Sequence, residues 1–198
     1  MSWSLGEIRT LAIKATRATG FSWGLCEEAG YMVYWLQSAG LPGVEALGLY
    51  LDHLITTYKH PHDLKDTCPI QIGVKFSDRK KDPPQFMQGV RQPILMTPFI
   101  ANTRMFIEGE LKWNNVVCAV KQGGVRINVE KEDYLTESAD CHWKGFNCGP
   151  VPSNWETRVP ESAAEHVQKL ERFAVRTYAP STEESRAKGA GAGDSDND

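Results

Sequence analysis

The chain reads as an α+β protein: N-terminal helices, a central mostly antiparallel sheet, then a C-terminal helix and a Gly/Asp-rich tail. Three observations predict this. Apolar residues recur at helical spacing from Leu5 to about residue 58. After Pro69 the period changes, with Ile70, Ile72, Val74 and Phe76 alternating with Gln71, Gly73 and Lys75 as in a half-buried strand. Helical spacing returns after Pro160. Helices segregated from strands favour α+β over alternating α/β.

In the first helix, Ser4 and Glu7 form the S-x-x-E capping box. Leu5, Ile8, Leu11, Ala12, Ala15 and Ala18 follow as the apolar stripe, and Gly20 ends it. A second helix spans about 22–38, stopped by Gly40 and Pro42. A third covers about 44–58 and ends near His60-Pro61-His62. Residues 78–84 are charged and hold prolines, so they read as a loop. Residues 93–107 are apolar but interrupted by Pro98, which leaves a strand, a helix after Pro98, or one of each. Residues 111–120 and 125–129 look like a hairpin around Lys121-Gln122-Gly123-Gly124. Residues 131–160 are rich in Gly, Pro, Asn and Cys without a period and read as a long loop. Pro160 opens the last helix, whose stripe is Ala163, Ala164, Val167, Leu170, Ala174 and Tyr178, and Pro180 stops it. The expected organisation is one compact domain over 1–188 and a tail over 189–198.

Composition narrows the function classes. The formal net charge is −3 and the basic residues are dispersed, which gives nucleic acid no footprint. No stretch approaches the ~20 apolar residues of a membrane helix, and the first residues lack the basic and apolar regions of a signal peptide. Five cysteines at irregular spacing, with no export signal, predict reduced thiols and a cytoplasmic location. No strand followed by G-x-G-x-x-G is present, and no cofactor is expected.

Two stretches carry a resemblance. The first is Ser22-Trp23-Gly24-Leu25-Cys26-Glu27-Glu28-Ala29-Gly30 with Trp35-Leu36 and Gly40-Leu41-Pro42-Gly43. The second is Arg176-Thr177-Tyr178-Ala179-Pro180 through Glu184-Ser185-Arg186 to the final Gly-Ala-Gly-Ala-Gly-Asp-Ser-Asp-Asn-Asp. Between them, Arg91-Gln92-Pro93 and Thr97-Pro98-Phe99 fit the same pattern less specifically. Together they resemble a proteobacterial family catalogued as domain of unknown function 3726. The resemblance implies a bacterial, stand-alone, whole-length domain of which the tail is a part, and it implies no reaction.

The second helix holds the candidate site. Leu25, Ala29, Met32, Val33 and Leu36 form an ordinary core stripe. The opposite face, which should be polar on a surface helix, carries Trp23, Glu27, Gly30, Tyr31 and Tyr34. Such a helix is expected to be covered on both sides, with Glu27 among aromatic rings as an acid/base or a counter-ion for a cation. The structural alternative pairs Glu27 with an arginine of the last helix or places it at a subunit interface. Cys141, His142 and Cys148 are the weak metal candidates, because their spacing matches no common zinc unit. A Cys-His catalytic pair is the other chemistry they allow, and Cys118 reads as a core thiol.

In the tail, Gly-Ala-Gly-Ala-Gly lacks the strand and the Lys-Ser/Thr helix of a P-loop. Asp194, Asp196, Asn197 and Asp198 resemble the start of a calcium loop whose later ligands would fall beyond residue 198. Docking and disorder remain, with Arg186, Asp196 and Asp198 as docking residues.

Two function classes follow. One is a non-catalytic subunit or accessory protein in bacterial small-molecule metabolism, binding a protein partner or a second copy through its tail and aromatic helix face. The other is a small cytosolic metabolic enzyme using Glu27 on a polar, amine-bearing substrate.

Overall fold

The computed structural model describes residues 2–57, 64, 66–78, 84–102, 108–121, 124–128, 134–146 and 155–177. The chain begins with a two-residue strand β1 (Trp3–Ser4) and four helices, α1 (Leu5–Ala18), α2 (Trp23–Ser38), α3 (Gly43–Thr57) and α4 (Pro69–Asp78). Strand β2 (Phe86–Arg91) leads into a 3₁₀ turn at Pro93–Met96 and the short helix α5 (Thr97–Ala101). Strands β3 (Gly109–Trp113), β4 (Val116–Lys121), β5 (Gly124–Ile127), β6 (Ser138–Gly145) and β7 (Arg158–Val159) follow, and α6 (Ala164–Ala174) comes last. The α+β expectation holds, with helices toward both ends and an antiparallel five-stranded sheet of order β2-β6-β3-β4-β5.

Helix α1 starts where the capping box places it. The Glu7 amide donates to Ser4 Oγ at 3.2 Å, and the Ser4 amide donates to Glu7 Oε2 at 2.7 Å, so two otherwise orphaned donors are satisfied. The Ser4 amide, then the Ser4 hydroxyl, donate to the Glu7 carboxylate and lower its pKa from the ordinary value. The helix buries Leu5, Ile8, Ala12 and Ala15. It crosses α2 closely because Gly30 has no side chain: a Cβ there would meet Ile13 Cγ1 at 2.5 Å and the Arg9 carbonyl at 3.0 Å. Helices α3 and α6 complete this layer. The segment 93–101 is buried throughout and touches α2, α3 and α4 on one side and β4, β5 and β6 on the other.

Residues 69–78 form a helix, and the strand expected there is corrected. Pro69, Ile72, Gly73 and Phe76 are buried at helical spacing. The alternation of Ile70, Ile72 and Phe76 was half of a wider stripe, completed by a glycine that packs against the ring of Phe99. Cys68 starts this helix: its sulfur accepts from the Gln71 amide at 3.4 Å and from the Tyr50 hydroxyl at 3.0 Å.

The unpatterned loop expected over 131–160 is also corrected, because β6 lies inside it and pairs with both β2 and β3. Ala139, Cys141 and Trp143 point inward and alternate with Asp140, His142 and Lys144. Glycine at 109 makes room for Trp143, whose ring would lie 2.8 Å from an added Cβ. Residues 111–120 are likewise not one strand. They turn back at Asn114, which takes a left-handed φ of 45°, so Trp113 pairs with Val116. The expected hairpin between the strands ending at 120 and starting at 125 is present, and its pairing extends to Lys121 and Gly124. The 93–107 alternatives resolve, within described residues, as a 3₁₀ turn followed by a helix with Pro98 in its first turn. The helix read from Pro160 begins as 3₁₀ at Glu161 and is α-helical over α6, burying Val167, Leu170, Phe173 and Ala174. Asp78 belongs to α4, while the charged stretch 79–83 lies outside the described residues, as do His60, Pro61, His62 and Tyr178.

Among the described residues, no helix is long and apolar enough to cross a membrane.

Candidate docking face on the second helix

Helix α2 buries Cys26, Ala29, Met32, Val33, Trp35 and Leu36. Trp23, Glu27, Tyr31 and Tyr34 project from its outer side at four-, four- and three-residue steps, one surface stripe of a 3.6-residue helix. Trp23 is 62% exposed, Tyr31 36% and Tyr34 39%, and Glu27 is exposed. The expectation that α2 is covered on both sides, with Glu27 held among rings, is therefore corrected. Gly30 belongs to the buried side, against α1, and three aromatic residues share the open side with Glu27.

At the C-terminal end of this stripe lies a cavity of about 670 Å³. Tyr34, Trp35, Leu5 and Trp155 supply its apolar walls, and Ser38 and Glu156 its polar ones. Trp155 meets Trp35 edge-on, ring centroids 5.8 Å apart at 74°. It is 45% exposed, so this aromatic wall, like Tyr34, is itself a surface residue. Backbone contacts fix this wall. The Glu156 amide donates to the Ser38 carbonyl at 2.6 Å. Two residues on, β7 pairs antiparallel with β1, and Arg158 donates to the Ser2 hydroxyl and carbonyl, each at 2.7 Å. The start of α1 and the segment 155–159 are thus clamped together beside the end of α2. Sequence reasoning missed Trp155, and the one signal was a tryptophan set in a segment of Pro, Ser and Asn.

A second, smaller hollow of about 420 Å³ flanks the middle of the stripe, lined by Arg9, Glu27, Glu28, Tyr31, Phe99 and Asn102. Asn102 also borders the first cavity, so the two adjoin. Burial, then Asp78, then Glu27 push the Glu28 carboxyl above its ordinary value. Burial, with Glu28 and Tyr34 nearby, raises the Tyr31 phenol. The hollow is therefore carboxylate-rich, with Arg9 as the cation on its rim.

The other site residues read from the sequence do not gather here. Cys141 and His142 are neighbours in β6 and point to opposite faces: Cys141 is fully buried, while the His142 ring lies tilted against Phe86 outside, centroids 5.1 Å apart. One metal ion cannot bind both from a regular strand. Burial pushes the Cys141 thiol up to about 12, with Asp140 adding to it, which suits a core thiol rather than a nucleophile. Cys118 is fully buried in β4, as expected of a core thiol, and its thiol is also raised. Among the described residues, no group of three or more His, Cys, Asp or Glu could hold a metal ion. Cys148, Arg186, Asp196 and Asp198 lie outside the described residues.

Comparison with curated proteins and with solved structures returns no match. The C-terminal motif from Arg176 onward lies outside the stretch matched by the family model. That stretch, residues 3–79, matches the family described as "Protein of unknown function (DUF3726)", the family that the motifs of α2 and of the turn into α3 resemble.

Proposed function

We propose that the protein is a non-catalytic subunit or accessory protein that docks onto a protein partner through the outer face of α2, with the tail as a second attachment. The observation that carries this reading is the exposed row Trp23, Tyr31 and Tyr34 running into the Trp35–Trp155 cavity. Exposed tryptophan and tyrosine beside a pocket are the usual anchors of protein interfaces, since they bury large area at low entropy cost. The carboxylates Glu27 and Glu28 adjoin that row, so the surface fits a partner segment with an apolar anchor and neighbouring basic side chains. A cytoplasmic setting agrees with this reading. The enzyme alternative depended on a buried Glu27, and Glu27 is exposed.

The test is purification of the full chain from its native cells, identification of a stoichiometric partner, and titration with that partner made separately. Trp155→Ala and Tyr34→Ala should each weaken binding at least tenfold, the scale of a hot-spot truncation above about 1.4 kcal/mol. Unchanged affinity in either variant would refute the docking face.

A further inference from the structure

A third cavity, of about 700 Å³, opens at the other end of α2, where α1 finishes and the chain leaves α6. Its walls include Lys14 and Arg17 of α1, Trp23 of α2, and Arg176 and Thr177 from the 3₁₀ turn after α6. Among the described residues lining it, three are cationic and none is acidic. Arg17 lies over the indole of Trp23, 5.1 Å from the ring centroid, and donates to the Phe21 carbonyl at 2.6 Å. Arg176 lies 5.5 Å over the Phe173 ring. Two of the three cations are therefore held in place by rings, and all three converge on the point where the described chain stops.

We infer that this basic cavity receives the chain's own acidic end, Asp194, Asp196 and Asp198, which in doing so covers Trp23. Residues 189–198 carry those three aspartates and no lysine or arginine. Asp194 lies 17 residues beyond Thr177, itself a wall of the cavity. At roughly 3.3 Å per extended residue the connecting chain spans up to ~55 Å, far more than a return path to the cavity requires. A short tether of this kind gives an effective concentration of about a millimolar, so weak carboxylate–guanidinium contacts suffice for substantial occupancy. Because Trp23 is also the first ring of the docking row, the tail in this position shields that end of the face, and a partner must displace it. This regulatory consequence rests on the docking reading; the contact itself does not.

The test uses the full chain and the indole N–H resonance of Trp23 in nitrogen-15 spectra, assigned by its loss in Trp23→Phe. The triple variant Asp194→Asn, Asp196→Asn, Asp198→Asn should move that resonance. About 1 M salt, where the screening length is about 3 Å, should move wild type to the same position. Lys14→Gln with Arg176→Gln should reproduce the move, while the Trp35 resonance stays fixed. A Trp23 resonance indifferent to the tail aspartates overturns the inference and leaves the docking face untouched. A shift that grows with protein concentration overturns it in favour of exchange between copies. Conversely, failure of Trp155→Ala to weaken partner binding refutes the docking face without moving the Trp23 resonance.

Discussion

The two ends of helix α2 present the same kind of ring in opposite electrostatic settings. At its start, Trp23 sits under Arg17 with Lys14 and Arg176 beside it. Along its middle, Tyr31 shares a hollow with Glu27 and Glu28, and Tyr34 leads to a cavity edged by Glu156. Helix α2 supplies part of this contrast itself through Glu27 and Glu28, although it has no acidic residue in its first turn and no basic residue in its last. The basic charge at the start comes from α1 and the exit of α6, and Asp78 of α4 adds to the acidic charge at the middle. One helix face is thereby divided into a surface suited to anions and a surface suited to cations. Its own carboxylates and the cations of the helices it packs against make the division.

The strongest way to break this contrast is to part α1 from α2. Both ends depend on that crossing, because α1 supplies Arg9 to one and Lys14 and Arg17 to the other. Gly30→Val places atoms where Ile13 and the Arg9 carbonyl already lie, which costs about 1–3 kcal/mol of overpacking. Urea unfolding should show that loss, and the Trp23 and Trp35 indole resonances should both shift. Wild-type stability in Gly30→Val would mean that the crossing is not tight.

A smaller change sharpens the contrast by acting on the acidic end alone. The Glu28 carboxyl is raised by burial, then by Asp78 and Glu27, so the folded state holds a proton there more firmly than the unfolded chain does. From the ordinary value of 4.5 up to the raised one, the native state binds more protons, and stability falls as pH rises through that window. Above it the charged Glu28 is a standing penalty. Glu28→Gln should therefore be more stable than wild type at pH 7 and indistinguishable from it at pH 4, measured by urea midpoints. A variant less stable at pH 7 would mean that the carboxylate has a stabilising cation.

The helical part of this architecture was legible because its signals are local. Ser4 and Glu7 announce the start of α1 within four residues, and Gly40 with Pro42 bounds the end of α2. The strand β6 was not, although Ala139, Cys141 and Trp143 alternate with polar residues. Its neighbours in the sheet are β2 and β3, from far earlier in the chain, and the surrounding Gly, Pro and Asn hid a two-residue alternation only eight residues long. Helix α4 was misread because Gly73 carries no hydrophobic side chain, yet its missing Cβ is what lets Phe99 close. The aromatic side of α2 was legible as a list of residues, and its environment was not. Burial of Glu27 depended on elements that could have packed over it, and none of the described ones does. Trp155 reaches the site through the β1–β7 pairing and the Glu156–Ser38 backbone bond, contacts between segments far apart in the chain.

The most direct measurement of the docking face places a photo-crosslinking phenylalanine analogue at Tyr34 of the full chain, in its native cells. The account predicts one dominant adduct of fixed mass, lost when Trp155→Ala is added and retained when the analogue-bearing chain carries Asp194→Asn, Asp196→Asn and Asp198→Asn. No adduct at Tyr34, or an adduct that survives Trp155→Ala unchanged, would contradict it.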